Sequence, residues 1–96
     1  MKYVFFLNGQ RGLFILKKLI KSKKFDLSKA VICNKDITQK LKNIINKKKI
    51  VFIKNINSKK SFEVLKKLNT DIFVVSGYPQ IFKRQIFKLP KVMTIN

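Results

Sequence analysis

An α/β domain with a doubly wound, parallel sheet is the expectation for these 96 residues, on three grounds. Five short apolar runs are continuous rather than alternating, the pattern of strands covered on both faces. Between them the apolar residues fall at helical spacing. The strand-then-helix unit recurs roughly every 20 to 25 residues, the rhythm of successive βαβ crossovers.

Tyr3 to Leu7 is the first predicted strand, and Leu13, Leu16, Leu19 and Ile20 mark the helix that follows it. Ala30 to Cys33 is the second strand. Ile37, Leu41, Ile44 and Ile45 form the stripe of a second helix, opened by Asp36-Ile37-Thr38-Gln39. That tetrapeptide resembles a capping box, with Asp36 accepting from the backbone and Gln39 reaching back. Lys47 to Lys49 then sit where positive charge complements a helix C-terminus. Ile50 to Ile53 is the third strand, and Phe62, Leu65 and Leu68 line a third helix that Asn57 or Ser58 can cap. Lys66 and Lys67 suit the end of that helix, and Asn69 suits a left-handed terminating position. Ile72 to Val75 is the fourth strand. Ile81, Phe82, Ile86, Phe87 and Leu89 read as a core-facing helix, and Val92 to Ile95 as a last strand.

Right-handed crossovers place these strands in the order 3-2-1-4, with the final run beyond strand four. The result is a Rossmann-like sheet in one domain, residues 1–96, without linker or internal repeat. A chain of this length buries only about 60 to 70% of its unfolded surface, so its stability is small. Ligands in such sheets bind at the carboxyl ends of the strands where the order reverses, here the loops after strands one and four. The first loop, Asn8-Gly9-Gln10-Arg11-Gly12, sets two glycines and an arginine at a helix N-terminus. It suits either an anion held by backbone amides or a plain tight turn, because it completes neither G-x-G-x-x-G nor a Walker A loop. The second is Ser76-Gly77-Tyr78-Pro79-Gln80. Gly77 permits close approach of a planar ligand or simply serves the turn, and Tyr78 offers either a ligand-facing edge or a cap to the core.

Composition narrows the function classes. With 46% hydrophobic and 28% charged residues the chain is of globular type. No apolar run nears the roughly 20 residues of a membrane span, and Met1-Lys2-Tyr3 enters a strand without a cleavable leader, so the expectation is a cytoplasmic protein with no membrane partner. Cys33 is the single cysteine and there is no histidine, which excludes an internal disulfide, a Cys-rich metal site and a Cys/His nucleophile pair. Cys33 reads as core packing. The four acids Asp26, Asp36, Glu63 and Asp71 are scattered, so no carboxylate pair for hydrolysis is apparent. The net charge of +19 raises a second class, a small basic non-catalytic module that binds nucleic acid or another polyanion. Against it, 21 of the 23 basic residues are lysine and only Arg11 and Arg84 carry the bidentate fork favoured by phosphate and groove readers. A stand-alone nucleotide-binding unit is disfavoured by Asn34 and Lys35, which stand where an acidic ribose ligand is expected.

One stretch carries a family likeness. Asp71-Ile72-Phe73-Val74-Val75-Ser76-Gly77-Tyr78-Pro79-Gln80-Ile81-Phe82, followed by Leu89-Pro90-Lys91 and Val92-Met93-Thr94-Ile95-Asn96, resembles the N-terminal half of the formyltransferase family. That family includes methionyl-tRNA, glycinamide ribonucleotide and sugar-amine formyltransferases. The likeness extends over essentially the whole chain, is most specific in residues 71–96, and is looser over Lys2 to Ile20.

The resemblance implies a formyl group carried on 10-formyltetrahydrofolate and an amine acceptor. It puts Asn96 at the family's catalytic asparagine, whose amide steadies the formyl oxygen as the tetrahedral intermediate forms. Gln80, Ile81 and Phe82 match the segment whose backbone meets the pterin, and Gly9, Gln10, Arg11 and Gly12 match the loop facing the acceptor. The family's histidine two residues past the asparagine, and its distant aspartate, are not among these residues. The resemblance therefore implies a partial domain that is inactive alone or is complemented by a second chain. It also implies a last strand with its covering helix missing. The first loop lacks the Gly-Thr-Pro opening of methionyl-tRNA formyltransferases and the Gly-Ser-Asn phosphate loop of the glycinamide ribonucleotide enzymes. A small-molecule or nucleotide-sugar amine is accordingly favoured over a tRNA-linked one.

Overall fold

β1 (Lys2–Leu7) forms the centre of the sheet because every residue from Tyr3 to Leu7 is apolar and buried. The computed structural model describes residues 1–96. After β1 come α1 (Gln10–Leu19), β2 (Asp26–Ile32), α2 (Thr38–Lys42), β3 (Ile50–Phe52), α3 (Lys59–Lys67), β4 (Ile72–Ser76), α4 (Arg84–Phe87) and β5 (Met93–Ile95). The five strands lie in the order β3-β2-β1-β4-β5 and every pairing is parallel, so the chain is a Rossmann-like α/β domain.

Alternation along β1 divides the core in two. Tyr3, Phe5 and Leu7 point to one face and pack with Leu13 and Leu16 of α1 and Leu41 of α2. Val4 and Phe6 point to the other and pack with Leu65 of α3, Ile86 of α4 and Tyr78. Phe5 and Phe6 are both fully buried, each stabilising the fold by about 1.5–3 kcal/mol. On the second face Phe6, Phe73, Tyr78 and Phe82 meet edge to face, with ring centroids 4.8 to 6.5 Å apart. That arrangement aligns ring edges with ring faces of opposite quadrupole sign.

Several local expectations hold. The Ser58 hydroxyl accepts from the Ser61 N–H at 3.1 Å and caps α3, and Asn69 stands at φ 50. Others are corrected. Residues 26–29 extend β2 upstream of the run that starts at Ala30, because they pair with Lys2 to Val4 across an irregularity in register. The capping box at Asp36 does not form. Asn34 accepts from the Asp36 N–H at 2.9 Å, which draws Asp36 into a 3-10 turn, Lys35–Ile37, ahead of a shortened α2.

Lys47 to Lys49 are likewise not a helix end but a 3-10 turn opened by Asn46. There Lys49 Nζ donates to the Leu27 carbonyl at 3.0 Å, and Lys29 Nζ donates to the Lys48 carbonyl at 2.9 Å. The expected core-facing helix from Ile81 to Leu89 contracts to α4. Only Ile86 is fully buried, while Ile81 is 88% exposed and Phe87 half exposed. β5 is an edge strand, and Val92, Met93 and Ile95 are about half exposed. No helix is long and apolar enough to cross a membrane.

Candidate functional site

Both chemistry-bearing loops emerge at the carboxyl ends of the central strands. In the first, Gly9 is extended and is the residue before α1, and the Leu13 N–H donates back to its carbonyl. Gly12 is buried on the face of α1 that meets the sheet. A Cβ there would lie 2.7 Å from Leu7 Cβ and 2.8 Å from the Ser76 carbonyl oxygen, so the glycine lets α1 settle directly on β1 and β4. Asn8 fastens this loop to the next. Its Oδ1 accepts from the backbone N–H groups of Cys33 at 3.2 Å and Asn34 at 3.0 Å.

Cys33 lies beside that amide, its Sγ 3.7 Å from Asn8 Oδ1. Burial pushes the thiol pKa up, which disfavours the thiolate a nucleophile needs. Gly9 and Gln10 join Asn8, Asn34, Asp36 and Lys40 around a shallow depression of about 240 Å3. Arg11 is exposed beside it, and Gly12 has no accessible face.

The second loop begins at Gly77, whose φ of +70 is accessible to glycine at little cost. This turn sends Tyr78 inward, where it closes the aromatic cluster as a cap to the core. Burial, with Cys33 alongside, pushes its hydroxyl pKa well above the ordinary value, and no acceptor meets the hydroxyl with hydrogen-bond geometry.

Past Pro79 two side-chain amides hold a segment that is neither helix nor strand. Gln80 Nε2 donates to the Lys54 carbonyl and Gln80 Oε1 accepts from the Ile56 N–H, both at 2.7 Å. Reciprocally, Asn57 Nδ2 donates to the Ile81 carbonyl and Asn57 Oδ1 accepts from the Lys83 N–H, both at 2.8 Å. Two of these bonds engage the backbone of the apolar stripe itself, at the Ile81 carbonyl and the Lys83 N–H, and tie it to the β3–α3 loop instead of leaving it to form a helix. They leave the N–H groups of Gln80, Ile81 and Phe82 without a backbone partner.

Those three residues line a cavity of about 250 Å3 with Val75, Tyr78, Phe87, Thr94 and Asn96. Thr94 is fixed by its hydroxyl, which donates to the Phe87 carbonyl at 2.7 Å and ties β5 to α4. The structure thus brings Gln80, Ile81, Phe82 and Asn96 to one cavity, while Gly9 and Gln10 line a different depression. Tyr78 is the only titratable side chain in the lining, and its hydroxyl stays neutral at ordinary pH. The cavity can hold a flat ring through apolar contact and backbone hydrogen bonds. It offers no acid or base that titrates near neutrality. No group of three or more His, Cys, Asp or Glu side chains comes together to hold a metal ion.

Asn8 and Asn57, the two asparagines that position these loops, carry no sequence signal beyond being asparagines near turns. Their partners lie 24 to 26 residues away in the chain. Compared with known proteins, the chain matches no family model and no curated protein.

Proposed function

We propose that this domain is the folate-binding portion of a 10-formyltetrahydrofolate-dependent formyltransferase acting on an amine, with a small-molecule or nucleotide-sugar amine favoured as acceptor. One observation carries the reading. The segment matched to pterin contact and the residue matched to the family's asparagine line the same cavity.

The fit is chemical as well as positional. Non-helical backbone whose N–H groups at Gln80 to Phe82 have no backbone partner suits the donor and acceptor edge of a pterin, and Phe82 and Phe87 supply apolar surface. The cavity is smaller than the roughly 300–1,000 Å3 common for whole ligands, which matches one end of a folate rather than the entire molecule. The cofactor supplies the formyl group. Asn96 would donate its amide N–H to the developing oxyanion, and the backbone of Gln80 to Phe82 would orient the ring.

Proton transfer needs a group that these residues lack, an effect commonly worth about 10²- to 10⁴-fold in rate, so the 96 residues bind without turning over. Titration of isotopically labelled protein with tetrahydrofolate tests this. Saturable shifts of the Gln80, Ile81 and Phe82 amide signals are the expected result, and they should persist in Asn96→Ala. Absence of saturation, or shifts centred elsewhere, would remove the reading.

A further inference from the structure

A second cavity is larger than the one just described. About 750 Å3 in volume, it opens between the edge strand β3 and α3, within the range of roughly 300–1,000 Å3 typical of small-molecule sites. Its walls are mainly apolar, from Val51 on the strand, Ile53 just past its end, Phe52 and, on the helix, Val64.

The neighbouring hydroxyls are already engaged. Ser58 Oγ accepts from the Ser61 N–H, and the Ser61 hydroxyl donates to the Asn55 carbonyl. What remains at the rim is positive. Lys54 and Lys60 line the cavity, and the Lys35 ammonium sits 4.8 Å from the centre of the Phe52 ring. No carboxylate joins them in the lining. An apolar trough with a cationic rim and no competing acid is complementary to a ligand with an apolar body and one anionic end.

We propose that the β3–α3 cavity binds a small amphiphilic carboxylate, its hydrocarbon body against Val51, Ile53 and Val64 and its carboxylate between Lys54 and Lys60. This site is separate from the folate reading and does not depend on it. Octanoate, hexanoate and octanol are the probes, followed through the methyl signals of Val51 and Val64.

Octanoate should shift those methyls saturably and bind more tightly than hexanoate by about fourfold for each additional buried methylene. Octanol, equal in length but uncharged, should bind at least about tenfold more weakly, as expected when a charge-assisted hydrogen bond is lost. The double variant Lys54→Gln, Lys60→Gln changes only exposed side chains. It should lower octanoate affinity by a similar factor and leave octanol unaffected. Unmoved methyls, equal affinity for octanoate and octanol, or an unchanged octanoate affinity in the double variant would each overturn the proposal.

Discussion

At Gly12 the requirement is for empty space. Alanine is the better helix former by about 1 kcal/mol, but its Cβ would meet Leu7 Cβ at 2.7 Å and the fixed Ser76 carbonyl at 2.8 Å. Gly12→Ala should therefore destabilise the domain by about 1–3 kcal/mol. Gly9→Ala enters open space and should stay within about 0.5 kcal/mol of the parent. Chemical denaturation of the two variants side by side checks the contrast, and equal stabilities would contradict it.

Tyr3 poses a different single-residue problem. Burial first, and the charge of Asp26 second, push its hydroxyl from 10.0 up to about 12. The folded state thus prefers the neutral phenol, so this contribution to stability is complete below pH 10 and is lost as pH rises through about 12. Tyr3→Phe should flatten that decline relative to the parent protein. Parallel stability curves above pH 10 would show that Tyr3 does not cause the loss.

Among the elements, the least regular segment is the one that most shapes the candidate cavity. Residues 78–83 are neither helix nor strand, and Gln80 and Asn57 lace them to the β3–α3 loop through four side-chain hydrogen bonds. Gln80→Ala leaves the Ile56 N–H and the Lys54 carbonyl without those partners. It should cost about 1–3 kcal/mol and speed hydrogen exchange at Ile56, with little change at Leu65 in α3. An unaltered Ile56 exchange rate would refute the lacing.

The regular elements were more legible. A continuous apolar run predicts β1 and β4, and the α1 stripe predicts Leu13 and Leu16 in the core. Segments whose geometry depends on a side chain reaching across the fold were misread. The Lys47–Lys49 turn and the irregular segment 78–83 ahead of α4 belong to that group, whereas α2 is shortened by a local contact from Asn34 to the Asp36 N–H.

For the whole molecule, 23 basic and 4 acidic residues leave +19 charges on a body whose radius of gyration is 12.1 Å. Like charges at this density repel, and salt shortens the range of that repulsion from about 30 Å at 0.01 M to under about 10 Å above 0.1 M. Thermal stability should therefore rise with sodium chloride over this range, and a flat response would show that the lysines are spaced beyond mutual influence. The same charge should give weak, sequence-independent association with polyanions at low salt, falling away steeply as salt is added. Retention of submicromolar affinity at physiological ionic strength would instead favour the basic binding-module alternative.

By themselves the residues determined the strand order and the places of the two loops that follow β1 and β4. These follow from local periodicity and from the handedness of βαβ crossovers, which need no knowledge of distant contacts. The turn at Gly77, the Ser58 cap and the left-handed Asn69 were legible for the same reason, since each is chemistry within a few residues. Packing alone decided which of those residues share a cavity. Gln80, Ile81, Phe82 and Asn96 meet because β5 pairs beside β4 and because Asn57 ties the intervening chain to the β3–α3 loop, while Gly12 is sealed between α1 and the sheet. The β3–α3 trough was equally invisible beforehand, because a cavity is a property of space between elements and no run of residues encodes it directly.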